Sequence, residues 1–96
     1  MSQLDVIRGQ RETILRLARS YGIRRVRIFG SVARGADRPE SDVDVLVDFE
    51  PGRSLLDQVG FEQDLEELLG RPVDVVSEGG ISPYLEAQIL REAVAL

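Results

Sequence analysis

The hexapeptide Asp42-Val43-Asp44-Val45-Leu46-Val47 restricts the fold more than any other stretch of the chain. Successive side chains of a strand point to opposite faces, so Val43, Val45 and Val47 share one face, and Asp42 and Asp44 stand together on the other. An otherwise buried strand therefore carries two like charges side by side. Carboxylates so placed raise each other's pKa unless something positive neutralises them, and a divalent cation does this better than a side chain.

The flanking pattern supplies neighbours for that strand. Leu4, Ile7, Ile14, Leu15 and Ala18 recur at helical spacings between Ser2 and Tyr21, and Tyr21-Gly22 ends this amphipathic helix. Arg25 to Phe29, with Val26 and Ile28 alternating, is a short strand followed by Gly30-Ser31 and a polar loop containing Gly35 and Pro39. Ser41 to Phe49 is the second strand. Beyond the Pro51-Gly52 turn, Ser54 with Asp57 marks a capped helix start; Leu55, Val59, Leu65, Leu68 and Leu69 continue the helix and Gly70 stops it. Pro72 to Ser77 is the third strand, Gly79-Gly80 loosens the chain, and Ser82-Pro83 starts a last helix. Leu85, Ile89, Ala93 and Leu96 carry that helix to the C-terminus, and its apolar side is expected to pack on the sheet.

These elements predict an α/β fold: a three-stranded mixed sheet covered by helices, in the order helix, strand, strand, helix, strand, helix, with residues 1–96 as one domain. The second and third strands, joined through a helix, are expected to be parallel. The direction of the first strand stays open on sequence alone. It is antiparallel to the second if Gly30-Ser31, at its end, must lie beside Asp42 and Asp44.

Composition narrows the chemistry. The 96 residues contain no cysteine and no histidine, which removes disulfides, thiolate sites, a cysteine nucleophile and imidazole, so a metal here must be held by oxygen. That donor set suits a hard cation such as magnesium. No run of eighteen apolar residues and no secretory signal is visible, so no membrane association is expected, and the cytoplasm is the expected compartment. A net charge of -5 argues against direct nucleic-acid binding, whose affinity comes from cations replacing phosphate counterions. The basic residues are all arginines. Arg24, Arg25, Arg27, Arg34 and Arg38 cluster near the acidic strand and could bind a small polyphosphate; the first three read better as a solvated strand edge.

Val73-Asp74-Val75-Val76 repeats the opening pattern with one carboxylate near the start of the third strand. If strands two and three are parallel neighbours, Asp74 joins Asp42 and Asp44 at one end of the sheet, giving three carboxylates around one point. Such a trio invites magnesium, and two-metal sites with ions about 3.5 to 4 Å apart stabilise in-line displacement at phosphorus. Gly30 after a strand lets a phosphate approach the backbone, and Ser31 adds a hydroxyl donor.

Gly30-Ser31, ten intervening residues and Asp42-Val43-Asp44 together resemble the nucleotidyltransferase signature of the DNA polymerase beta superfamily. The extended form, Gly30 to Gly35 followed by Ser41 to Asp44, resembles the minimal nucleotidyltransferases of prokaryotes, and the likeness covers nearly the whole chain. The resemblance implies the nucleotidyltransferase fold and transfer of AMP from ATP to a hydroxyl acceptor, with pyrophosphate leaving. It implies that Asp42 and Asp44 hold two magnesium ions, that Asp74 binds the catalytic one and helps activate the acceptor, and that Gly30 and Ser31, with Arg34 beside them, hold the triphosphate. It also implies an all-helical HEPN protein partner, silenced by adenylylation of a tyrosine. The alternative is a binding module of the same fold that blocks a partner's active site without catalysis. Three retained carboxylates favour the enzyme. Self-association into a homo-oligomer stays open.

Overall fold

The structure, a computed structural model, describes residues 1–96. The acidic strand, β2 (Val43–Phe49), takes a central place in the sheet, with Val43, Val45 and Val47 wholly buried. Its neighbours are β1 (Ile23–Phe29), antiparallel with Ile28 opposite Val45 and Phe29 opposite Asp44, and β3 (Val73–Ser77), parallel with Asp44 opposite Asp74. Both strand directions therefore follow the expectation.

The valine face is covered by helices. Helices α1 (Gln3–Gly9) and α2 (Arg11–Ser20) contribute Ile7, Ile14 and Ala18, and α4 (Leu55–Leu69), which crosses from β2 to β3, contributes Phe61 and Leu65; these close on Val26, Ile28, Val43, Val45 and Val75 in one core. Ser54 and Asp57 form the capping box expected at the start of α4, and Gly70 ends it at φ 69°. Leu55 and Val59, two of the positions that signalled this helix, face solvent at 71% and 42% exposure. Inward polar positions of α4 serve the outer edge of β3 instead. Gln58 Nε2 donates to the Val75 carbonyl at 2.8 Å, and Glu66 Oε2 accepts from the Val73 N–H at 2.9 Å.

Four features correct the expectation. The first helix is broken in two, because Gln10 leaves the helical region at φ −108° and ψ 18° beside Gly9, a poor helix former. A further helix, α3 (Gly30–Arg34), occupies the start of the loop and buries Val32. The second strand begins at Val43, not Ser41, so Asp42 lies just outside it.

The fourth correction is the sheet, which has four strands in the order β3-β2-β1-β4. Helix α5 (Pro83–Glu92) stops at Ala93, and β4 (Val94–Ala95) pairs antiparallel with β1, Val94 opposite Ile28. Without it the outer side of β1 would present unpaired N–H and C=O groups, and β-branched Val94 suits the extended backbone that satisfies them. Leu96 extends the tie, its N–H donating to the Val26 carbonyl at 3.0 Å and its carbonyl accepting from Arg11 Nε at 2.6 Å. Helix α5 itself buries no residue, and Tyr84 is 83% exposed. The packing expected of the last helix thus falls to the short strand after it. Tyr84→Ser should change the unfolding free energy by less than about 0.5 kcal/mol, whereas Phe61→Ala should cost about 3–5 kcal/mol; urea denaturation of both variants checks the contrast.

Candidate active site

The end of β1 and the beginnings of β2 and β3 meet at one end of the sheet. Phe29, Asp44 and Asp74 lie in a single row across the three strands, so Asp44 and Asp74 stand on the same face of adjacent strands. That face is opposite the core, because the next row, Ile28, Val45 and Val75, is buried. Asp42 is exposed and precedes the strand by one residue. The turn before it is closed by Ser41, whose Oγ accepts from the Arg38 N–H at 2.9 Å and whose N–H donates to the Arg38 carbonyl at 2.9 Å.

The electrostatics show that the three carboxylates are neighbours. Burial pushes the Asp44 carboxyl above its ordinary value, the charges of Asp74 and then Asp42 push it further, and Arg34 opposes them weakly. They do not form a ready three-ligand cluster. Like charges facing water keep their oxygens apart, and only a shared cation rewards convergence.

Gly30 shows why this position tolerates no side chain. Its φ of 73° is left-handed, and a Cβ there would overlap the Asp44 carboxylate, lying 3.1 Å from its Cγ. The glycine thus lets the start of α3 press against Asp44. Ser31 lies in the first turn of α3, whose cap residue Phe29 offers no side-chain oxygen to the turn's amides.

Arg34 lies at the other end of α3, exposed and paired at 3.0 Å with Glu92 of α5. Such a solvated pair is worth little. Arg24 and Arg25 are exposed beside Asp48 and Glu78, as a solvated strand should be, and Arg27 pairs with Glu78. Sequence reasoning missed Glu92, and it missed Arg71, which bonds the loop ahead of Asp42; an isolated arginine between Gly70 and Pro72 carries no signal of that.

The acidic end is an open surface. None of the five main clefts, about 250 to 500 Å³ in volume, is lined by Asp42, Asp44 or Asp74. The residues present fit a hard divalent cation: oxygen is the only donor type, Asp44 is destabilised by its own charge, and a glycine leaves the carboxylate approachable.

Comparison with known proteins places this geometry. A family profile described as nucleotidyltransferase domain matches residues 9–96. The protein adenylyltransferase MntA of Thermococcus cleftensis is 42% identical over 78 residues, 81% of this chain and 79% of that protein. A solved structure described as a provisionally assigned minimal nucleotidyltransferase is 51% identical with a TM-score of 0.89, covering 100% of this chain and 97% of that one. A complex of a tri-AMPylated Shewanella oneidensis HEPN toxin with its MNT antitoxin shares the fold at 20% identity and a TM-score of 0.70, over 92% of this chain and 69% of that one.

Two outcomes follow from the Asp44 environment. A carboxyl whose folded pKa lies above the ordinary 3.8 favours folding below that value, and this contribution is lost as pH rises through the folded pKa. Asp44→Asn in chelator should therefore raise the thermal midpoint at pH 7, with the gain vanishing near about pH 3; scanning calorimetry at both pH values checks it. Gly30→Ala should lose at least the ~1–2 kcal/mol of a left-handed alanine, and more for the displaced Asp44 carboxylate, as chemical denaturation would read.

Proposed function

The chain belongs to the nucleotidyltransferase domain family, among its minimal members, and from that premise we propose that it transfers AMP from ATP to a tyrosine hydroxyl on a HEPN-type protein partner, as the antitoxin of a toxin–antitoxin pair. The observation that carries the reading is the row of Asp44 and Asp74 beside Gly30, with Asp42 one residue before the strand. The relatives support the direction of the chemistry. A protein adenylyltransferase is 42% identical, and the fold recurs in a complex whose HEPN toxin carries AMP.

Asp42 and Asp44 would hold two magnesium ions, with Asp74 a ligand of the one nearer the acceptor. Bound there, the ions supply charge neutralisation of the triphosphate and polarisation of its phosphoryl oxygens. Gly30 leaves room for the Asp44 carboxylate against the start of α3, whose backbone N–H groups would meet a phosphate there, and Ser31 Oγ would donate to a phosphate oxygen. Arg34 can turn to the triphosphate because its bond to Glu92 is exposed and weak. In the transfer, the tyrosine oxygen forms a bond to the α-phosphorus as the bond from that phosphorus to the pyrophosphate oxygen breaks. The phenolic proton passes to the Asp74 carboxylate and on to water, and pyrophosphate leaves with the electron pair.

The open acidic end fits a macromolecular acceptor. Walls around the reacting groups, which this chain does not provide, come with the partner's own surface.

Incubation with labelled ATP, magnesium and a candidate HEPN-type protein, followed by mass spectrometry of that protein, should show a tyrosine carrying AMP. Asp42→Asn with Asp44→Asn should lower the rate by at least about 10³-fold, the equivalent of several kcal/mol of lost charge stabilisation. Asp74→Asn should impair transfer more than nucleotide binding. A partner silenced without label, by wild type and double variant alike, would instead establish a blocking module.

A further inference from the structure

Asp42 has no strand of its own to hold it, yet the peptide groups on both of its sides are anchored. The Ser41 carbonyl accepts from the Arg71 guanidinium, Nη2, at 2.7 Å, and the Val43 N–H donates to the Pro72 carbonyl at 2.9 Å. Two consecutive residues of the turn between α4 and β3 thus clamp the backbone before and after Asp42. Two residues beyond Pro72 on the same turn and strand lies Asp74. The same segment therefore sets where both carboxylates flanking Asp44 stand.

Arg71 does most of this. Its Nη1 donates to Asp37 Oδ2 at 3.1 Å and its Nη2 to the Arg38 carbonyl at 2.7 Å as well as to Ser41, so three bonds from one planar group gather the loop from Asp37 to Ser41. The side chain is only 12% exposed, and its Nε is buried with no acceptor. Every bond the guanidinium makes is directed at this loop and none at the core. Lysine, whose three donors all radiate from one nitrogen on a flexible stem, cannot reproduce this fork geometry.

We propose that Arg71 is a positioning residue for nucleotidyl transfer, acting through the Asp37–Ser41 loop to hold Asp42 at a fixed separation from Asp74. The inference rests on Asp42 being a metal ligand, as set out under the proposed function. Loss of an outer residue that orients a ligand costs about 10–100-fold in metal affinity or activity.

The test uses the full chain and two readouts. In Arg71→Gln, hydrogen exchange should quicken at the amides of residues 37–42 while those of α2 and β2 keep their protection. Magnesium-dependent ATP binding, read by calorimetry, should weaken about 10–100-fold. Arg71→Lys, which keeps the charge against Asp37, should give smaller changes of the same kind and serves if the glutamine variant does not fold. Unaltered exchange at residues 37–42 would overturn the clamp. Quickened exchange with unaltered ATP binding would overturn the positioning role and leave the proposed function standing. A wild-type chain that binds no ATP with magnesium would instead overturn the proposed function, and the positioning role with it, whatever the exchange shows.

Discussion

The period of two along β2 governs this molecule. Because Val43, Val45 and Val47 must enter the core, Asp44 has no choice but to stand on the opposite face, and the pairing of β2 with β1 and β3 then decides what surrounds it. A slip of one residue in the β2–β3 register would bury Asp74 and expose Val73 and Val75. The same hydrophobic force that stabilises the sheet thus fixes the alignment of its acidic residues. No separate device is needed to bring Asp44 and Asp74 together, but one is needed for Asp42, which lies beyond the reach of the ladder.

That division also separates what could be read in the sequence from what could not. Strand alternation, the capping box at Ser54, the glycine stops and the spacing from Gly30-Ser31 to Asp42 are local patterns with local causes, and the antiparallel β1–β2 pair follows once Gly30 has to meet Asp44. The two-residue strand β4 is invisible because its stability comes from a partner more than sixty residues away and not from its own composition. Helical spacing ran through Ala93 to Leu96 by coincidence, and the unpaired side of β1 overrode it. The break at Gly9-Gln10 escaped because Ile7 and Ile14 keep their helical phase across it and are both buried.

The candidate site divides in the same way. Residue types and spacing name Gly30, Ser31, Asp42, Asp44 and Asp74, since each is unusual where it stands. They do not say that the carboxylates stay apart, because convergence depends on charge in the surroundings and not on backbone register. Nor do they mark Arg71, an arginine whose meaning comes entirely from the carbonyls it reaches. Long-range bonds from one side chain to another segment's backbone leave no trace in a pattern of apolar and polar residues.

The bonds from Gln58 and Glu66 to the outer side of β3 bear on how copies of this chain meet one another. A free strand edge is a template on which another strand can add, the first step toward cross-β deposits. On β3 the crossover helix occupies part of that template, at Val73 and Val75, and on the far side the last strand is cut to the two residues of β4. A strand added along either border would therefore meet an interrupted row of backbone groups. The backbone route to aggregation is narrowed at both borders of the sheet.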